Sequence, residues 1–157
     1  MADKKQLKEA MATYKALCDA LDRRKWKYTK EEEKLMVRFN VSGDDLNMSF
    51  VMFMDADRDL VRLMSWLPFN ATNNPDAVSR AVLQANYKMI AGSFDFNYKD
   101  GAIAFRLNAS YKGAVLGDGA FNYMINVAAN TVDEYNDELL MLDKGQITIE
   151  QFMKKHA

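Results

Sequence analysis

One cysteine, one histidine and two prolines in 157 residues leave this chain short of the side chains that most often carry catalysis, metal binding or crosslinking. Cys18 alone excludes an intrachain disulfide and a cysteine zinc cluster. His156 lies one residue from the end of the sequence. A nucleophile–histidine pair, or a histidine-held metal, would need that end folded inward, against the fraying expected of chain termini. Charge of one sign is missing too: 21 Lys and Arg stand against 22 Asp and Glu. That balance gives no electrostatic case for a nucleic acid or an anionic membrane as partner. No apolar run approaches the roughly 20 residues of a membrane-spanning helix. The opening Met1-Ala2-Asp3-Lys4-Lys5 leads into a charged amphipathic segment and lacks the apolar core of a signal peptide. The expectation is a cytoplasmic protein. Without a linker, an internal repeat or a low-complexity stretch, residues 1–157 are expected to form a single domain large enough to bury a core.

Motifs that resemble chemistry fail on inspection. Asp55, Asp57 and Asp59 imitate the first ligands of a calcium loop, but the sixth position is Leu60 rather than glycine and the twelfth is Trp66 rather than a carboxylate. Gly113, Gly117 and Gly119 precede a helix without the spacing of a phosphate-binding loop, and Asp118 would repel a phosphate. Glu31, Glu32 and Glu33 sit in a lysine-flanked turn where nothing would desolvate one of them. Cys18 falls on an apolar stripe and reads as a buried, inert thiol. The expectation is therefore no catalytic residue, no cofactor, no metal and no enzymatic activity.

What is present is clear periodicity. Leu7, Ala10, Met11, Tyr14, Leu17, Cys18 and Leu21 mark an amphipathic helix over about residues 3–23. A short strand is expected from Trp26 to Thr29. Leu35, Val37, Phe39 and Val41 alternate with Met36, Arg38 and Asn40, and Leu46, Met48, Phe50, Met52 and Met54 alternate with Asn47, Ser49, Val51 and Phe53, so each set predicts a strand, the back of the second turning apolar toward its end. Leu60 to Leu67 predicts a third strand with apolar residues on both faces, ended by Pro68. Pro75 to Ala91 predicts a helix with Asn74 as its cap and Gly92 as its stop. The period then changes to two: Phe94, Phe96 and Tyr98 face one way, and Ile103, Phe105 and Leu107 continue the face beyond an Asp100-Gly101 tight turn. A long helix is expected over roughly 119–142, broken at Gly145. Thr148 and Gln151 have capping-box spacing for a short last helix to about Lys155.

Asn86-Tyr87, Gly92-Ser93-Phe94-Asp95-Phe96, Asp100-Gly101 and Phe105-Arg106 resemble the signature of the bacterial YbjN-type family of sensory transduction regulators. The likeness continues through Thr131-Val132-Asp133-Glu134-Tyr135, and Trp66-Leu67-Pro68 matches the strand end before the central helix. The resemblance implies a type III secretion chaperone-like fold and no established biochemical activity. With the periodicity it predicts an α+β fold: an antiparallel sheet of about five strands with helices packed on one face, in the order α-β(short)-β-β-β-α-β-β-α-α.

Five of 11 methionines, namely Met36, Met48, Met52, Met54 and Met64, fall in the strand meander. Methionine fills cores, and it also serves surfaces that accept varied partners. Met36, Val51, Phe53 and either Met64 or Trp66 are expected to share the sheet face turned away from the helices. They are the candidate partner-binding residues. Such a patch would mark an unidentified protein or peptide partner, a homodimer contact, or both. The alternative is a small-ligand sensory domain, with an apolar pocket between sheet and helices beside Tyr14, Tyr87 or Tyr98.

Overall fold

A computed structural model describes residues 1–157. Six strands form one fully antiparallel sheet in the order β1-β2-β3-β4-β6-β5. They are β1 (Tyr28–Glu31), β2 (Met36–Ser42), β3 (Asn47–Asp55), β4 (Leu60–Asn70), β5 (Ser93–Phe96) and β6 (Ala102–Ser110). The helices are α1 (Lys4–Arg23), α2 (Pro75–Lys88), α3 (Asp118–Asp143) and α4 (Ile149–Lys155). The element order is the expected one. The strand count is six, because the short first strand pairs fully with β2.

Alternation along the strands sends Val37, Phe39, Phe50, Met52, Val61, Leu63, Phe105 and Leu107 to one face, where they join α1, α2, α3 and α4 in a continuous core. Phe50, Phe105, Phe121 and Phe152 are among its fully buried side chains. Each large apolar side chain taken out of water contributes about 2 kcal/mol. The outward set follows a different rule: Val51 and Ala104 are buried yet stand outside that core. All four helices therefore lie on one side of the sheet.

Local chemistry sets the boundaries, and in several places it overrides the pattern. A capping box between Asp3 and Gln6 starts α1, and another between Thr148 and Gln151 starts α4. Asn74 does not cap α2 with its side chain. The buried Asp143 carboxylate, at the end of α3, instead accepts the backbone N–H groups of Asn73 and Asn74 at 3.0 and 2.9 Å. The helix ends at Lys88 rather than Ala91, because Asn86 and Met89 turn the chain toward the sheet. Pro68 does not end β4. It lies where the register with β6 shifts between Trp66 and Asn70, an irregularity that tolerates a residue without an N–H. The Asp100-Gly101 turn is a loop over residues 97–101 rather than a two-residue hairpin. Gly101 has φ +75°, and a Cβ there would lie 2.5 Å from the Ala71 carbonyl oxygen, so the loop is shaped by the segment crossing it. Leu35 precedes β2 instead of opening it, with a left-handed backbone after the one-turn 3-10 helix Glu32–Lys34.

The C-terminus does not fray. The His156 ring packs on Phe152 and Tyr135, with centroids 4.4 and 5.0 Å away, and contacts the Glu138 carboxylate at 3.0 Å. Its backbone carbonyl accepts from Gln84 of α2 at 2.8 Å. Aromatic stacking and a partly buried carboxylate hold the end that composition alone left free.

Candidate functional site

The bare face of the sheet is defined by register. One row across it reads Glu31, Met36, Phe53, Arg62, Asn108, and the next reads Thr29, Arg38, Val51, Met64, Arg106, Ser93. Trp66 follows two residues beyond Met64 and pairs with Ala104. The five candidate residues Met36, Val51, Phe53, Met64 and Trp66 thus share this face. Met64 and Trp66 both belong to it, where the sequence left one of the two. They do not make an open apolar patch. Val51 is buried by its neighbours, Met36, Phe53 and Met64 are half-buried, and Trp66 at 51% is the widely exposed one.

Ion pairs close the gaps. Arg38 donates to Glu31 at 2.6 Å. Arg62 lies over the Phe53 ring, 5.3 Å from its centroid, and contacts Asp55 at 3.3 Å. Arg106 grips Asp95 with two bonds of 2.8 and 2.9 Å. Arginine stems cover apolar surface while their heads stay paired, so the face is an apolar diagonal fenced by fixed charge. Hydrogen bonds from Lys34 and Arg38 push the Glu31 carboxyl down to about 2. Asp95 raises the Arg106 guanidinium above its ordinary value. Glu31 is thereby held ionised.

The two edges of the sheet are unlike. At β5 the Asn86 side chain reaches from α2, accepting from the Phe94 N–H at 2.7 Å and donating to the Phe94 carbonyl at 2.9 Å. Phe94 then stacks edge-on against Phe105 and Tyr135. Gly92, with φ +78°, lets the chain enter beside the Phe105 ring, where a Cβ would sit 2.3 Å from a ring carbon. Within the stretch from Asn86 to Arg106, Tyr87, Ile90 and Tyr98 remain exposed. At β1 no backbone group bonds to anything except β2, and no side chain caps its peptide groups.

The remaining candidates stay apart. Asp55 is paired with Arg58 and Arg62, Asp57 faces the N-terminal amine at 3.6 Å, and Asp59 is buried. No group of three metal-ligating side chains converges anywhere. Asp118 begins α3 and takes two hydrogen bonds from Arg23 at 2.6 and 2.7 Å, joining the end of α1 to the start of α3, while Gly117 caps without a side chain. The Cys18 thiol is buried, and burial pushes its pKa up. The internal pocket is expected beside Tyr14, Tyr87 or Tyr98. Tyr14 is buried and donates to the Met36 carbonyl, whereas Tyr87 and Tyr98 lie on the surface. Tyr98 contacts the Ser79 hydroxyl from outside the core. Beside Tyr14 lies a recess of about 370 Å³, lined also by Met11, Cys18, Lys30 and Leu35. No helix is long and apolar enough to cross a membrane.

Two features escaped the pattern reading. Leu83, Tyr87 and Ile90 are strongly exposed and fall at i, i+4 and i+7, a second apolar stripe on α2 and the residues just after it, with exposed Tyr123 of α3. That spacing was open to view but was masked by the stronger inward stripe of Val78, Ala81, Val82 and Ala85. Net charge also concealed local charge: Arg24, Lys25, Lys27 and Lys30 are exposed beside β1, and none takes part in an ion pair.

The sequence profile of the YbjN family, described as "Putative bacterial sensory transduction regulator", matches residues 13–141. The chain belongs to the YbjN family. No curated protein matches its sequence. Among solved structures, this YbjN-family chain is similar to one in the ExsC–ExsE complex, with TM-score 0.61 and 12% identity over 88% of this chain and 97% of that one. It is similar to a chain of the HopA1–SchA chaperone–effector complex, with TM-score 0.51 and 13% identity over 92% and 97%. YbjN from E. coli aligns with TM-score 0.57 and 8% identity over 85% and 92%. The shared property is the fold: that of the type III secretion chaperones, as the resemblance implied.

Proposed function

We propose that this protein is a non-enzymatic protein- or peptide-binding module, chaperone-like or regulatory, that works in the cytoplasm as a homodimer. The observation that carries the reading is the sheet face left bare by all four helices. Its apolar diagonal from Met36 through Val51, Phe53 and Met64 ends at the exposed Trp66, within a fence of paired charges. An exposed aromatic beside fixed arginines is the composition of a binding hot spot. Membership of a family of regulators, and a fold shared with a chaperone–effector complex, support a macromolecular partner over a small substrate. In the dimer, the stripe of Leu83, Tyr87 and Ile90 on the helix side joins the two copies, which leaves the sheet free.

A photo-crosslinking residue placed at Trp66 should capture one reproducible protein in the native host, and Met64→Asp should abolish that capture. Equal capture from an exposed control at Lys112 would overturn the assignment of the face. Light scattering on the purified protein should give twice the chain mass, falling to one chain in Leu83→Asp/Tyr87→Asp.

A further inference from the structure

We infer that β1 is a docking edge for an extended acidic peptide, which adds to the sheet as a seventh strand. This rests on the protein-binding reading above and goes further by naming the edge and the chemistry of the occupant.

The argument starts from backbone bookkeeping. A four-residue edge strand pairs alternate peptide groups with its neighbour and turns the others outward. At β5 the outward groups of Phe94 are consumed by Asn86. At β1 nothing consumes them: the backbone of Tyr28–Glu31 bonds only to β2, and the side chains around it bond elsewhere. Tyr28 donates its hydroxyl to Asp22, and Glu31 is occupied by Lys34 and Arg38. The sheet thus has one edge able to accept a strand.

Charge selects which strand. Arg24, Lys25, Lys27 and Lys30 are exposed along the approach to β1 and along β1 itself, without an anionic partner. Lys30 lies 5.8 Å from the centroid of the Tyr28 ring, which leaves its ammonium free for a further contact. Lysines on an edge discourage pairing between two copies of the same edge, since like charges would face each other. They also attract a strand of opposite charge. Beside this edge the outer face holds a groove of about 660 Å³, lined by Lys27, Thr29, Arg38, Asn40, Ser49 and Val51. It has room for the side chains that an added strand directs to that face. The exposed Glu32 and Glu33 beyond β1 set the register: acidic residues of the occupant lie opposite residues 24–30 and not opposite the glutamates.

The probe is a fluorescein-labelled ten-residue peptide of alternating glutamate and valine, followed by anisotropy at low salt against the full-length protein. Binding should occur, weaken as salt is raised, and fall at least roughly ten-fold in Lys27→Glu/Lys30→Glu, two exposed positions where folding is expected to survive. A lysine–valine peptide and a glutamate–valine peptide with a central proline should not bind. Amide exchange should slow over 27–31 in the bound state and stay unchanged over 93–96. The inference is overturned if the glutamate–valine peptide fails to bind, if the proline-broken peptide binds equally well, if protection falls on β5, or if single-stranded oligo-dT binds in its place. Failure here with successful crosslinking from Trp66 would remove the edge and leave the sheet-face reading standing.

Discussion

The sheet ends in two strands of equal length, β1 and β5, each of four residues, and the protein treats them in opposite ways. At β5, α2 supplies Asn86 to bond both peptide groups of Phe94, and Gly92 admits the chain at a spot where any side chain would strike Phe105. At β1 there is no cap and no close-fitting turn, only exposed lysines. Both are answers to the hazard of unpaired strand edges. One occupies the outward peptide groups of Phe94; the other leaves its outward groups free and filters by charge. An edge that is sealed serves the fold, and an edge that is merely guarded can serve a partner.

Substitutions at the sealed end should have the largest effect. Gly92→Ala adds a left-handed backbone penalty to a steric clash with the Phe105 ring, and should lower stability by about 3 kcal/mol in urea denaturation. Asn86→Ala leaves the Phe94 groups unpaired in a partly buried place, and should remove about 2 kcal/mol. It should also open β5, so light scattering should show self-association beyond the dimer, which the wild-type protein lacks. A monodisperse Asn86→Ala variant of undiminished stability would erase the contrast between the edges.

A smaller effect concerns pH. Glu31 anchors the end of β1, and its carboxyl is pushed down to about 2 from an ordinary 4.5 by Lys34 and Arg38. A depressed carboxylate stabilises the folded state fully above its unfolded value, and the contribution is lost as pH falls through the folded value. Exchange of the β1 amides should therefore accelerate between about pH 4.5 and 2. Glu138 behaves alike at the C-terminus. Burial opposes its charge, but hydrogen bonds from Lys155 and His156 outweigh burial and hold its pKa below the ordinary value. α4 should loosen as pH falls below the ordinary glutamate value, as read from its amide exchange. The smallest change is expected from Lys27→Ala/Lys30→Ala, within about 0.5 kcal/mol, because these side chains make no ion pair in the folded protein. A loss well beyond that would mean the lysines hold β1 in place instead of filtering what approaches it.

Much of this architecture was legible in the residues. Inward apolar stripes at helical and strand spacing located α1, α3 and the meander, and Thr148 with Gln151 marked α4 through a local capping box. What escaped was set by contacts distant in sequence. Asp143 caps α2 from about 70 residues away, and a register shift against β6 lets Pro68 stay within a strand. His156 is held by Glu138 and Tyr135, neither of which a reading of chain ends would supply. The bare face was legible in part. Alternation put Met36, Val51 and Phe53 on it, but the arginines that fence them pair with acids on other strands or at strand ends, and that pairing needs the register. The open edge was hidden by averaging, since a net charge of −1 gives no sign of four unpaired cations around one strand.

The most direct test of the contrast between the edges is native-state amide exchange of the free protein near neutral pH, resolved by NMR for residues 28–31 and 93–96. Slow exchange at Phe94, together with fast exchange at the outward-facing amides of β1, is the predicted result. Fast exchange at Phe94, or equal protection of all four β1 amides, would show that the sheet is sealed and opened at different places from those described.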